Sequence, residues 1–295
     1  MYPHVGVGYM CRLFGKTRQG WYDQCKRKEE QSLSDIIILK IVEEIRQSMP
    51  RIGVRKLLYM LEPRLKEHHI KIGRDKLYDL LGYHGLLLRY RRRKPYTTDS
   101  NHPYRKYPNL IRELVLTGSG KLWVSDITYL KLTQGFCYLS IVTDAYSRKL
   151  VGYQVHPTLA SEGAVHALLM AADTLKRKDK LIHHSDRGIQ YCCAEYVQML
   201  EHFKIQISMT ENGDPYENAI AERVNGILKN EFGLSKTFSS LEQAQIVTDS
   251  AVNVYNNKRP HASCDYLTPA VAHDHNGILR KRWKPGIKQL TEIEI

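Results

Sequence analysis

The sequence predicts two parts of different build: an all-α module, followed by an α/β core with a mixed five-stranded sheet and flanking helices. Three observations predict this. Apolar residues recur at helical spacing through the first third of the chain and then change to strand-like alternation. The later segments run β-β-β-α-β-α-β-α, an order that joins antiparallel and parallel neighbours in one sheet. Between the two patterns, residues 95–110 collect three prolines among mostly polar residues, the composition of a linker.

In the first part, residues 35–48 (DIIILKIVEEIRQS) are expected to be helical. Ser34 or Asp35 would cap the helix, Ile37, Ile38, Ile41 and Ile45 would line one face, and Pro50 would stop it. Residues 53–61 give a second helix with Val54, Leu57, Leu58 and Leu61 inward, punctuated by Pro63. Residues 73–81 give a third, broken by Gly82 and Gly85, with Arg74, Asp75, Lys76 and Tyr78 on its polar side. Three short helices of this kind suggest a helix-turn-helix DNA-binding domain over 35–94, although a generic three-helix core has the same pattern. That domain ends in Arg89-Tyr-Arg-Arg-Arg-Lys94. Arg89, Arg91, Arg92, Arg93 and Lys94 can each neutralise a phosphate, and Tyr90 can stack on a base or sugar. Residues 1–34 carry no assignment.

The α/β core is expected over 111–235. Residues 121–132, 136–143 and 149–155 read as a three-stranded meander with a turn at 144–148. A helix over 161–175, capped by Ser161, leads to a fourth strand at 180–184. A helix over 194–203, a fifth strand at 204–209, a polar loop at 210–217 and a helix over 218–232 complete the core. Residues 236–295 form a C-terminal helical segment, with a helix at 239–256, and a tail without assignment.

Charge narrows the function. The 295 residues hold 44 Lys+Arg against 31 Asp+Glu, a net charge of +13. Residues 1–110 carry +12 of it and the rest +1. A basic excess concentrated in one module is the footprint of a polyanion partner. No apolar run approaches membrane-spanning length, and residues 1–30 lack the apolar core of a secretory signal. The cysteines at 11, 25, 137, 192, 193 and 264 have no zinc or disulfide spacing and are read as reduced thiols of an intracellular protein. No phosphate-binding glycine loop of an ATP-driven motor occurs.

Chemistry is sought among the carboxylates. Asp126 interrupts an apolar strand, on the face of Leu122, Val124 and Leu130, where a charge is costly without compensation. Asp186 lies at a strand end, before Arg187-Gly188, where ligands of α/β sheets gather. Glu222 shares one helix face with Asn218, Asn225 and Lys229, while Ile220, Val224, Ile227 and Leu228 take the other. Carboxylates from three elements are the donor set that two Mg²⁺ ions need, with Mn²⁺ as a substitute. Asp144 is read as a turn acid, Asp214 and Glu217 as loop acids that rival Glu222, and His183 and His184 as structural.

At these residues the chain resembles the DDE transposases of insertion-sequence family three (OrfB-type), which share the retroviral integrase catalytic core. The resemblance rests on Trp123-Val-Ser-Asp126-Ile-Thr-Tyr129, His184-Ser-Asp186-Arg-Gly-Ile-Gln-Tyr191, and Asn218-Ala-Ile-Ala-Glu222 with Leu228-Lys229-Asn-Glu231. The 35 residues between Asp186 and Glu222 match the family's triad spacing. Tyr255-Asn-Asn-Lys-Arg259-Pro260-His261 and Leu267-Thr-Pro269 are similar to its C-terminal signature. The resemblance implies a ribonuclease H-like fold in which Asp126, Asp186 and Glu222 are the metal-binding catalytic triad. It places Lys229 where related integrases carry a DNA-contacting lysine. It further implies cleavage and strand transfer at the ends of an insertion sequence, in the bacterial cytoplasm at the nucleoid. The implied partners are duplex DNA (terminal inverted repeats and target), further copies of the chain, and a protein from an upstream frame; no membrane is involved. Two other readings stand beside it: a non-catalytic repressor of its own element, and a ribonuclease H-type nuclease.

Overall fold

The computed structural model describes residues 6–88, 103–175, 180–211 and 218–282. They fall into two compact units, Met1–Ser48 with Gly53–Leu88, and Met49–Ile52 with Arg89–Ile295. No helix among the described residues is long and apolar enough to cross a membrane.

The first unit is helical: α1 (Val7–Leu13), α2 (Arg18–Ser48), α3 (Val54–Glu67) and α4 (Arg74–Tyr83). Of the predicted inward residues Ile38, Ile41, Ile45, Val54, Leu57 and Leu61 are buried while Ile37 and Leu58 are half-buried, and Val42, Leu65, Leu77 and Leu81 join the core. Each such side chain contributes about 1.5–3 kcal/mol on leaving water. Several expectations are corrected. The helix expected from residue 35 starts at Arg18, because the polar run from 18 to 34 is built largely of good helix formers. Ser34 donates from Oγ to the Glu30 carbonyl, inside the helix rather than as its cap. Nor does Pro63 end α3, which continues to Glu67. Burial of Leu65, two residues further on, offsets the lost hydrogen bond. The third helix extends through Gly82 and stops before Gly85, whose φ of 66° is left-handed.

The second unit is built on β1 (Leu122–Leu132). The long hairpin partner β2 (Phe136–Asp144) runs antiparallel to it, with Asp126 opposite Ile141, and β3 (Leu150–His156) completes the meander. After α5 (Ser161–Ala172) the chain crosses to β4 (Ile182–Ser185), which lies parallel to the first half of β1 with Val124 opposite His184. Helices α6 (Ile189–Cys192) and α7 (Ala194–His202) lead to β5 (Gln206–Met209), parallel to β4. The order is β3-β2-β1-β4-β5, the mixed five-stranded path expected, on a ribonuclease H-like α/β fold. A short sixth strand, β6 (Thr237–Phe238), pairs with the far end of β1. It follows α8 (Ala219–Glu231) and precedes α9 (Leu241–Asn257), and α10 (Pro269–His273) packs on α9.

Alternation along β1 separates two buried layers. Trp123 points toward α5 and α7, with Val142, Leu168, Tyr196 and Leu200. Leu122 and Val124 point the other way, onto Ala221 of α8. Close approach of α5 to β3 requires Gly152, where an added Cβ would stand 2.0 Å from the Ala167 carbonyl oxygen. Ser161 does not cap α5: the cap position is Ala160, and Ser161 Oγ instead donates to Glu195 Oε2 at 2.8 Å.

Candidate active site

Asp126 lies on the Leu122–Val124 face of β1, so its carboxyl emerges under α8. There Asn225 donates from Nδ2 to Asp126 Oδ2 at 2.8 Å, and the Ile127 amide donates to Oδ1 at 2.9 Å. One turn before Asn225 on the same helix is Glu222, and one turn after it is Lys229, both on the side of α8 that bears Asn225. A second α8 anchor is Asn218, buried, which donates from Nδ2 to the Ser125 carbonyl at 2.9 Å. Two amide side chains thus tie α8 to consecutive residues of β1.

Asp186 enters from the neighbouring strand. In the parallel ladder Val124 stands opposite His184, and Asp126 and Asp186 each lie two residues further on. The ladder ends at Val124–His184, Asp186 follows the last residue of β4, and its charge acts on Asp126. The Gly188 amide donates to Asp186 Oδ1 at 3.0 Å and closes an Asx turn that leads into α6.

Electrostatics links the three acids. Burial pushes the Asp126 carboxyl up to about 7; the Asn225 hydrogen bond opposes this, and the charges of Asp186 and Glu222 add to it. Glu222 is raised as well, by partial desolvation and then by Asp186. Like charges that crowd one another fit a divalent cation, which would offset their repulsion with hard oxygen donors. Among the described residues, no three His, Cys, Asp or Glu side chains already stand within reach of one common ion. Asn225 bonds Asp126, and the turn at Gly188 holds Asp186.

Of the other singled-out residues, Arg74 and Lys76 are exposed at the start of α4. Arg74 pairs with Asp75 at 2.8 Å, and Lys76 donates to Gln31 of α2 at 2.6 Å. Arg89, Arg91, Arg92, Arg93 and Lys94 lie outside the described residues, as do Asp214 and Glu217. His183 faces the α5–α7 layer, away from Asp126; Ser125 Oγ and Tyr196 hydroxyl meet its Nε2 at 2.7 and 2.9 Å. Burial lowers its pKa to about 3, so the ring is neutral. His184 bonds Ser208 Oγ on β5 at 2.8 Å.

One structural role escaped the sequence reading, and one residue read as a turn acid, Asp144, holds its turn from a fully buried position. Arg259, 1% exposed, forms a two-pronged ion pair with Glu231, Nε to Oε2 at 2.7 Å and Nη2 to Oε1 at 2.8 Å. The pair joins the end of α8 to the chain after α9 and packs against Tyr255. Both members stand in quoted motifs, but nothing in their spacing says that they meet. Asp144, fully buried, accepts from the amides of Gly120 and Ser147 at 2.8 Å and from Ser147 Oγ at 2.7 Å. The Asp-x-x-Ser order was the available signal for that turn.

The fold is that of a protein with an integrase-type α/β core and a separate helical unit. The integrase core domain family matches residues 117–215, and a second integrase core domain family matches 203–269. An uncharacterized 31 kDa protein of insertion element IS600 from Shigella sonnei is 31% identical over 265 residues, 88% of this chain and 96% of that one. Transposase InsF for insertion sequence IS3A of Escherichia coli K12 is 29% identical over 276 residues, 90% and 93% of the two chains. The chain belongs to this family of insertion-sequence transposases with an integrase core. Among solved structures, the HTLV-2 integrase catalytic core domain in complex with magnesium aligns over 53% of this chain and 97% of that one, with 19% identity and a TM-score of 0.42.

Proposed function

We propose that this transposase cuts DNA strands at the ends of its insertion sequence and joins them to new phosphodiesters, with Asp126, Asp186 and Glu222 holding divalent cations, Mg²⁺ or Mn²⁺. The carrying observation is that the charges of Asp186 and Glu222 both act on Asp126, the two aspartates following the Val124–His184 pair of neighbouring strands. Bound cations supply charge neutralisation at the scissile phosphate and at the attacking and leaving oxygens. Asp126 and Asp186 would fix that charge beyond the end of the central β1–β4 ladder, Asn225 holds Asp126 Oδ2 in place, and Glu222 would close the site from α8. Water attacks first and leaves a 3′-hydroxyl; that hydroxyl then attacks a second phosphodiester in line, and no covalent enzyme intermediate is needed.

In this reading α3 and α4 act as a helix-turn-helix. Arg74 and Lys76 with the 89–94 run grip duplex DNA, and Lys229 contacts the strand next to the site. The repressor and ribonuclease readings have no observation of their own in favour. The test is a Mg²⁺-dependent nicking and joining assay on terminal-repeat duplexes. Asp126→Ala should lose both steps and keep DNA binding. Cleavage by that variant at the wild-type rate, or cutting confined to RNA–DNA hybrids, overturns the proposal.

A further inference from the structure

Ser125 precedes Asp126 on β1, is 1% exposed, and is bonded to both of the other elements that lead to the acids. Its side chain lies on the α5–α7 side of the sheet, opposite to that of Asp126. There its Oγ meets Nε2 of His183 on β4 at 2.7 Å, three residues before Asp186. Its carbonyl accepts from Nδ2 of Asn218 at 2.9 Å, at the start of α8 and four residues before Glu222.

The place of this junction follows from where backbone pairing stops. The β1–β4 ladder runs through Leu122–Ile182, Trp123–His183 and Val124–His184 and ends there. Ser125 is the first β1 residue past that end, so backbone bonds to β4 no longer hold it. The bond from its Oγ to His183 takes their place, one residue before Asp126. Helix α8 has no ladder with β1; it packs Ala221 against Leu122 and Val124. Apolar contact is non-directional, so hydrogen bonds such as that from Asn218 decide where along β1 the helix stops. The network also has a cost. Tyr196 hydroxyl shares the same His183 nitrogen at 2.9 Å, while His183 Nδ1 and the Tyr191 hydroxyl are buried without a hydrogen-bond partner among the described residues. Apolar side chains of similar volume would avoid that cost. What they would not supply is direction, which a buried hydrogen bond has.

We infer, on the catalytic reading above, that Ser125 is a positioning residue: its side chain holds β4, and with it Asp186, and its carbonyl holds α8, and with it Glu222, in place relative to Asp126. It touches neither substrate nor cation. Removing Oγ leaves all three carboxylates present and releases the β4 arm; removing the Asn218 amide releases the α8 arm.

The test is calorimetric titration of the full-length chain with Mn²⁺ alone, well below its melting temperature, beside Mg²⁺-dependent cleavage of terminal-repeat duplex. Wild type should bind Mn²⁺ and Asp126→Ala should not, which checks the catalytic reading by itself. Ser125→Ala and Asn218→Ala should each weaken Mn²⁺ binding about 10–100-fold and lower kcat by a similar factor, with KM for DNA within about twofold. Ser125→Thr, which keeps the hydroxyl, should recover most of the loss. Val151→Ala, in the same buried layer but on β3, is the control for lost stability: it should melt earlier yet bind Mn²⁺ and cut DNA as wild type does. If Ser125→Ala does not fold by circular dichroism, Asn218→Ala decides by the same readouts. Wild-type Mn²⁺ affinity and kcat in a folded Ser125→Ala, or an equal loss in Val151→Ala, overturns the inference and leaves the catalytic reading standing. A wild-type chain with no affinity for Mn²⁺ overturns both.

Discussion

Asn225 gives its Nδ2 hydrogens to Asp126 Oδ2 at 2.8 Å, so the helix that carries Glu222 also holds the central acid of β1. The bond opposes the rise in the Asp126 pKa that burial and its acidic neighbours cause. Asn225→Ala should push that carboxyl higher and leave it less well oriented. We expect strand cleavage to fall at least about tenfold, with the loss greatest below neutral pH and partly recovered at pH 9, as the group ionises. A uniform loss at every pH would assign Asn225 to packing alone.

Metal binding should depend on pH in a direction the site fixes. With its pKa raised from 3.8 to about 7, Asp126 holds a proton in the folded state that the unfolded chain has released. Stability of the metal-free protein therefore falls as pH rises from about 4 to 7, because the folded state binds more protons there. A cation needs the ionised form, so its apparent affinity should rise by up to tenfold per pH unit over the upper part of that window. Calorimetry with Mg²⁺ in buffers of different ionisation enthalpy should detect proton release at pH 6 and little at pH 8.5. Equal affinity at both pH values would contradict this.

The Arg259–Glu231 pair should be structural. Either Arg259→Ala or Glu231→Ala leaves a buried charge without its partner and should cost about 3–5 kcal/mol in denaturant melts. Replacing both, with Arg259→Met and Glu231→Leu, should recover most of that loss, since a buried ion pair is often matched by apolar residues of similar volume. A double variant as weak as the singles would mean that the charges hold more than each other.

Gly152 should tolerate no side chain. An alanine Cβ there would meet Ala167 O at 2.0 Å and the Ala171 amide nitrogen at 2.9 Å, all within the α5–β3 contact. Relief requires α5 to move, and we expect Gly152→Ala to lower stability by about 1–3 kcal/mol in chemical melts.

Much of the fold was legible because its signals are local. The first long strand alternates in sequence, the next two are apolar runs joined at a turn, and the core helices carry apolar residues at helical spacing, so each was placed within a few residues. The errors have one character. At residues 18–34 a polar stretch showed no stripe, and the helix there follows from propensity together with the absence of a breaker; at Pro63 tertiary burial outweighed a local stop. At the candidate site, Asp126 stood out as an acid in an apolar strand. Asn225 was seen only as part of a polar helix face, because an amide's partner is invisible until the helix is docked.

By itself the sequence determined the order of elements, the division of charge between the two parts, and the family, since all three are written in residue type and spacing. Only the tertiary structure decided that the charge of Asp186 acts on Asp126, that Asn225 bonds Asp126, and that Arg259 closes on Glu231. Those facts depend on strand register and helix docking, which the packing of distant apolar faces sets and no local pattern encodes.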